Sequence, residues 1–299
     1  MEFRPFVPPV LPLNLLMFGQ QGAGKTTTCA SLLREPTMLL YSSVLESHSA
    51  GYMSKGASIY PEAKPENLYA FSIDKCQDAD KHVIPSAAKW VVGATLSPEQ
   101  SMMKLHAYLD AVKGGFFKSV VLDSMSSILG IAKQTSDFRS FCSTDKGKHN
   151  SFQESPALQA AFNDIFAKLK VLNEDHLVKC VTLCAASASE INQETMSAEV
   201  ISPTLPFFGL VQNLVLLFPD IAAVTKDPIG GYSRSLRFSI GINRASKGLT
   251  DKKVTKFVDV TPRLRCAPLD VPIDALPPDL YNIEKNVDMV VEAYRSSDK

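Results

Sequence analysis

Short apolar runs alternate with stretches of helical periodicity along the chain. Leu13-Asn-Leu-Leu-Met-Phe18 ends in a glycine-rich turn, and Lys25 to Leu33 follows without a helix breaker, which predicts strand, loop and helix. Thr37-Met-Leu-Leu-Tyr-Ser42, after Pro36, predicts a second strand. From Glu46 to Trp90 the pattern is irregular and rich in Pro, Lys and Asp, with one strand at Leu68 to Ile73. It reads as an insertion over about residues 46–95. Ser97-Pro-Glu-Gln100 then carries a capping-box signature, and Met102, Leu105, Leu109 and Val112 give an amphipathic helix ending at Gly114-Gly115. Ser119-Val-Val-Leu-Asp123 is a buried strand closing on an acid. Ser155-Pro156 repeats the cap before a helix with Leu158, Phe162, Ile165, Leu169 and Leu172 toward the core, and Val178 to Ala186 is the next strand.

Strands alternating with helices predict an α/β fold, a mostly parallel sheet flanked by helices on both faces. Past residue 210 the pattern changes. Ile221 to Thr225 and Ser235 to Ile242 flank the turn signal Asp227-Pro-Ile-Gly-Gly231, which predicts an antiparallel hairpin at the C-terminal edge of the sheet. A last helix is expected from about Tyr281 to Tyr294. The chain thus divides into a Pro-rich arm (1–12), a core (13–245) and a basic segment with a C-terminal helix (246–299).

Composition narrows the classes. In 299 residues, 31 Lys+Arg balance 31 Asp+Glu, and 45% are apolar, so the chain can bury a full core and is neither fibrous nor disordered. Zero net charge weighs against a uniformly basic nucleic-acid coat. The six cysteines, at 29, 76, 142, 180, 184 and 266, lack the paired spacing of a zinc site and read as free thiols of a reducing compartment. Prolines interrupt residues 1–12 too often for a signal peptide, and runs such as Leu210 to Phe218 are too short to span a bilayer. A cytoplasmic protein without membrane contact is expected.

The strongest chemical signal is Gly19-Gln20-Gln21-Gly22-Ala23-Gly24-Lys25-Thr26, which satisfies the phosphate-loop pattern between a strand and a helix. Glycines let backbone N–H groups turn toward an anion, and the helix starting near Gly24 adds its positive end. Lys25 reaches the β- and γ-phosphates, Thr26 offers its hydroxyl to Mg²⁺, and Thr27 completes the nucleotide-binding set. Asp123 is the candidate second metal ligand, with a helix-cap role through Ser124-Met-Ser-Ser127 as its structural alternative. Glu46, or less directly His48, is the candidate that orients a water for attack. Ser187 or Ser189, after the fourth strand, is a candidate γ-phosphate sensor.

Together, Gly19 to Thr26, Asp123-Ser124 after an apolar strand and an acid shortly after the second strand resemble the RecA-like P-loop ATPase core. More narrowly, the chain is similar to compact bacteriophage nucleotide-binding proteins, including RecA-like single-strand annealing ATPases. The polar segment from Ser187 to Pro206, the hairpin strands to Ile242, the basic cluster after them and Leu276-Pro-Pro-Asp-Leu280 before a terminal helix follow the same order of elements. The resemblance covers roughly residues 13–295 and is specific at the two Walker motifs. It implies an Mg²⁺-dependent ATPase of DNA recombination, annealing or replication, binding ATP and single-stranded DNA and assembling as a homo-oligomeric ring or filament. Arg244 and Lys247 would be fingers reaching a neighbouring subunit's ATP, although Asn243-Arg244-Ala-Ser-Lys247 spaces them more widely than the family's usual pair.

The resemblance also implies DNA contacts from the segments after the third and fourth strands, about Thr135 to Ser155 and Ser187 to Pro206. The first contains Arg139, Lys146, Lys148 and His149, with Phe138, Phe141 and Phe152 for stacking. The second has Glu190, Glu194 and Glu199 and no Lys or Arg. From Arg244 to Arg265 seven basic residues against two acidic ones give a local charge of +5, which suits nucleic acid, a subunit interface or simply a solvated face. The alternative to an ATPase is a nucleotide-gated scaffold with little turnover. A small-molecule kinase is disfavoured, because no acceptor-site signature or Arg-rich lid follows the core.

Overall fold

Within each strand, alternate side chains go to opposite layers, and this alternation organises the molecule. A computed structural model describes residues 13–19, 24–44, 46–144, 147–174, 177–191, 198–203, 220–226, 234–240 and 270–272. The chain runs β1 (Leu13–Gly19), α1 (Lys25–Cys29), β2 (Thr37–Tyr41), α2 (Ser49–Gly56), β3 (Leu68–Ser72), α3 (Asp80–Val83), α4 (Pro98–Ala111) and β4 (Ser119–Asp123). It continues with α5 (Met125–Ala132), α6 (Ser136–Phe141), α7 (Glu154–Glu174), β5 (Cys180–Ile191), β6 (Ala198–Pro203), β7 (Asp220–Lys226), β8 (Arg234–Ile240) and β9 (Asp270–Pro272).

The sheet order is β3-β2-β4-β5-β1-β7-β8-β9, with β6 paired to β5 off this path. Strands β3, β2, β4 and β5 are all parallel, and β1 pairs β5 in the same sense. On one face Met38, Leu40, Val120, Leu122, Val181 and Leu183 pack under α4, α5 and α7. On the other, Met17, Leu39, Val121, Cys180 and Cys184 meet Cys29, Leu32, Leu33 and Met53 from the α1 and α2 side. This is the expected α/β architecture, a parallel sheet between two helical layers. Each fully buried Leu or Phe, such as Leu158 or Phe162 of α7, contributes about 1.5–3 kcal/mol. Among the described residues no helix is long and apolar enough to cross a membrane.

The capping box forms as the sequence reads. Ser97 Oγ accepts from the Gln100 backbone N–H, Gln100 Oε1 accepts from the Ser97 N–H, and Pro98 opens α4. Several boundaries differ. Helix α7 starts at Glu154, so Ser155-Pro156 lies in its first turn rather than at its cap. Strand β5 runs on to Ile191 and pairs antiparallel with β6, so backbone pairing orders much of the segment read as polar loop. The 135–155 segment holds α6, an isolated bridge between Ser143 and His149, and a 3₁₀ turn at Ser151–Gln153. Strand β7 pairs antiparallel with β8. The 1–12 arm, the Asp227–Gly231 turn, the 244–265 basic run and the 281–294 helix lie outside the described residues.

The irregular stretch read as an insertion contributes the edge strand β3, which pairs with β2 from Thr37↔Leu68 to Tyr41↔Ser72. Past it, two buried carboxylates organise the chain. Asp74 accepts hydrogen bonds from Ser42, Ser43, Val44 and Ser72. Asp80 accepts from Lys104 Nζ at 2.7 Å, from Tyr108 OH at 2.7 Å and from the Gln77 N–H at 2.8 Å, and Lys104 also donates to Lys75 O at 2.8 Å. The Lys104 and Asp80 side chains are both 0% exposed. Burial lowers the Lys104 ammonium below its ordinary range against the pull of Asp80. Burial, together with the bond to Asp80, pushes the Tyr108 phenol up.

Two stability predictions follow from these acids. Removing one partner of the buried pair strands the other charge, so Lys104→Met should cost about 3–5 kcal/mol. The double change Lys104→Met with Asp80→Asn should recover part of that loss, as read from urea unfolding midpoints. Burial pushes the Asp74 carboxyl up, but hydrogen bonds from Ser42, Ser72, Ser43 and the Val44 N–H outweigh it and hold it at about 2, below the ordinary 3.8. Because the folded value is the depressed one, this stabilisation of about 2 kcal/mol is present above about pH 4 and is lost as pH falls toward 2. Asp74→Asn should therefore be less stable than wild type at pH 7, with the gap narrowing from pH 4 to pH 2. A gap independent of pH over that range would exclude the carboxylate as its source.

Candidate functional site

The carboxyl ends of the parallel strands lie at one edge of the sheet, which is where α/β sheets bind ligands. Register fixes this edge. Asp123 is level with Tyr41 of β2 and Cys184 of β5, and Gly19 of β1 is level with Ala186 of β5. Because β5 stands between β1 and β4, the phosphate-loop strand and the Asp123 strand are two strand spacings apart, about 9–10 Å. The gap is closed from above. Thr26, in the first turn of α1, donates its hydroxyl to Asp123 Oδ2 at 2.6 Å.

Local sequence explains each placement. Gly24 takes φ 99° and ψ 17° at the N-cap of α1, a left-handed conformation that glycine adopts without strain, and no side chain caps the helix there. Its carbonyl accepts from the Thr28 N–H and hydroxyl, which starts the helix directly at Lys25. Helix α1 is held down by α2. A Cβ on Gly56 would come within 2.9 Å of Ala30 Cβ and 3.1 Å of Thr27 Cγ2, so only glycine permits this approach. Thr27 accordingly has its methyl against α2. Gly19 ends β1, and Gln20, Gln21, Gly22 and Ala23 lie outside the described residues.

Asp123 is buried at the end of β4, whose five residues are all buried. It is not the helix cap. Ser124 takes that role for α5, accepting from the Ser127 N–H, which leaves the Asp123 carboxylate to Thr26. Ser124 also donates to Glu46 Oε1 at 3.2 Å, and so joins the end of β4 to the loop after β2. Burial raises the Glu46 carboxyl above its ordinary range, and the Asp123 charge raises it further, while Ser124 and Lys25 pull it down. The structure thus brings Lys25, Thr26, Glu46 and Asp123 together from three separate stretches of chain.

Other candidates fall elsewhere. His48 is exposed at the N-cap of α2, with its ring edge-to-face on Tyr52 at 6.0 Å. Ser187 and Ser189 lie on β5 just beyond the level of Gly19, paired with Pro203 and Val200 of β6. Arg244 and Lys247 lie outside the described residues. Of the aromatics in the 135–155 segment, Phe138 is buried in the core at 7% exposure and cannot stack on a base, whereas Phe141 and Phe152 are 51% and 90% exposed. His149 Nε2 lies 2.7 Å from Glu154 Oε1, and Lys146 is outside the described residues. Below the site Cys29 and Cys184 stand with sulfurs 3.8 Å apart. The contact with Cys29, then burial, pushes the Cys184 thiol well up, which keeps it protonated and inert.

Sequence reasoning missed the two-way part of Ser124, as cap of α5 and donor to Glu46. The hydroxyl following a strand-end acid was its visible signal. Gly56 carried no signal at all, since nothing local marks it as the contact point of two helices.

The donor chemistry suits Mg²⁺ carried by phosphates. Among the described residues no group of three or more His, Cys, Asp and Glu could hold a metal by themselves. Mg²⁺ typically takes one or two protein oxygens and completes its shell with waters and substrate phosphates, and the Thr26 hydroxyl beside the Asp123 carboxylate is such a pair. No protein-family model matches the sequence, and no curated protein matches it.

Proposed function

We propose that this chain is a Mg²⁺-dependent ATP-binding and ATP-hydrolysing protein built on a RecA-like P-loop core, acting in DNA recombination, annealing or replication. The observation that carries the proposal is the 2.6 Å bond from Thr26 to Asp123, formed across 97 residues at the strand edge beside the glycine-rich loop. The separation of β1 from β4 by β5 supports the same reading, because it leaves room at the edge for phosphates between the two motifs.

In this reading Gly19 to Gly24 present backbone N–H groups to the phosphates of ATP, and Lys25 neutralises the β- and γ-oxygens. Thr26 and Asp123 hold Mg²⁺, which when bound offsets charge on the β- and γ-phosphates. Glu46 accepts a hydrogen bond from the attacking water and orients it. Burial raises its carboxyl above the ordinary range, which favours its accepting that hydrogen bond. Ser124 holds the other side of that carboxylate.

The DNA part of the proposal draws on exposed Phe141 and Phe152, in one segment with Arg139 and Lys148, as stacking surfaces with nearby cations. The antiparallel β7–β8 pair, with β9 outside it and Arg244 and Lys247 after it in the chain, would take the place of the family's hairpin and inter-subunit fingers in a ring or filament.

ATP turnover by the full chain, with and without single-stranded DNA, tests the proposal. Lys25→Ala should lose Mg-ATP binding. Glu46→Gln should bind Mg-ATP within a few-fold of wild type while kcat drops by about 10²-fold or more. Undiminished ATP binding by Lys25→Ala would sink the nucleotide site. A wild type that binds but never turns over ATP would favour the nucleotide-gated scaffold instead. Replacing Phe152 by Ala should weaken any stimulation by single-stranded DNA without changing basal turnover.

A further inference from the structure

The segment that carries Glu46 leaves β2 under the control of one buried carboxylate that the chemistry above does not use. Asp74 lies two residues past β3 and is 5% exposed. Its Oδ1 accepts from the Ser43 N–H at 2.8 Å, the Ser43 hydroxyl at 2.7 Å and the Ser72 hydroxyl at 2.7 Å. Its Oδ2 accepts from the Ser42 hydroxyl at 2.5 Å and the Val44 N–H at 3.0 Å. Four of these five bonds come from Ser42, Ser43 and Val44, the residues between the end of β2 and the approach to Glu46.

From there the connection to Glu46 is short. The Glu46 N–H donates to Ser42 O at 2.8 Å, so the residue that Asp74 grips by its hydroxyl also receives Glu46's own backbone bond. On its far side Glu46 O accepts from the Ser49 N–H at 3.0 Å, the first residue of α2. Strand pairing does not need Asp74. Tyr41↔Ser72 pairing and the Ile73 N–H to Tyr41 O bond already join β2 to β3. What Asp74 adds is the path of the chain beyond the strand.

We propose that Asp74 is a positioning residue. It fixes the turn after β2 so that the Glu46 carboxylate stands against Ser124 and beside Asp123. This role rests on the reading of Glu46 as the water-orienting acid. A carboxylate is required because donors converge on both oxygens and include two backbone N–H groups. An amide would turn an NH₂ toward either the Val44 N–H or the Ser43 N–H, placing donor against donor. Burying that mismatch costs more than losing one bond, so the turn shifts and Glu46 shifts with it.

The test uses the full chain with two variants, Asp74→Asn and the milder Ser43→Ala. Ser43→Ala removes one half-buried hydroxyl and keeps the carboxylate and both backbone bonds. Amide hydrogen exchange in Asp74→Asn should quicken over residues 42–49 by about tenfold or more beyond any change over residues 98–111 and 119–132, which should follow only the loss of global stability. Turnover of Mg-ATP should lose about tenfold or more in kcat with KM changed by less than about threefold, and Ser43→Ala should move the same way by less. In a Glu46→Gln background, Asp74→Asn should add less than about a twofold further loss, since both act on one step.

Exchange quickened by the same factor over residues 42–49 and over residues 98–111 and 119–132, or a loss confined to KM, would mark Asp74 as merely structural and overturn the proposal. Wild-type kcat in Asp74→Asn beside a normally active, Lys25-dependent wild type would overturn it while leaving the ATPase reading intact. A wild type without Lys25-dependent turnover would remove the ATPase reading, and the role of Asp74 with it.

Discussion

The hydrogen bond from Thr26 to Asp123 is the point on which the site depends. It joins the first turn of α1 to the end of β4 although β5 lies between their strands, so it forms only if the sheet order, the helix start and the strand end are all correct. The helix start and the strand end each have a local cause, and a helix–helix contact seats α1. Gly24 in a left-handed conformation starts α1 at Lys25, Gly56 lets α2 press α1 onto the sheet, and Ser124 takes the capping of α5 so that Asp123 is not needed there. A hydroxyl that gives its proton to a carboxylate keeps its lone pairs for a cation, so on the proposed function the same pair would hold the metal.

The parts of the fold legible in the sequence are those whose signal is local. Binary patterning of Met38 to Leu40, Val120 to Leu122 and Val181 to Leu183 decides two faces, and both are covered as expected. Ser97 with Gln100 gives a cap that needs no tertiary partner. The polar core of α4 was not legible. Ser101, Lys104 and Tyr108 share the buried stripe with Leu105 and Leu109, yet a lysine there reads as solvent-facing until Asp80 arrives from 24 residues upstream. Phe138 failed in the opposite way. It reads as a loop aromatic free to stack, but α6 forms and turns it into the core.

The same division applies to the site. Gly19 to Thr26 is contiguous and therefore visible, and Asp123 is visible because a strand ends on it. Glu46 is visible only by its distance from β2, and what holds it is not visible at all. Ser124 lies 78 residues away, and Asp74 sits in the stretch whose pattern looked least regular. Irregular patterning there reflects polar groups used inward. Asp74 and Asp80 each replace a run of apolar contacts with a set of converging donors, which a hydrophobicity pattern records as noise.

Electrostatics connects these pieces. Glu46 and Asp123 are close enough for the Asp123 charge to raise Glu46, and Lys25 only partly offsets it. Bringing triphosphate oxygens to such an edge with Lys25 alone against Glu46 and Asp123 would add like charge to like charge in a partly desolvated place. On the proposed function, a divalent cation held by Thr26 and Asp123 would outweigh these carboxylates and make the local field attractive to phosphate. On the proposed function, nucleotide affinity should therefore depend on Mg²⁺ more steeply than a phosphate loop and lysine alone would require. The excess arises from the very carboxylate, Glu46, that must stay nearby to direct the water.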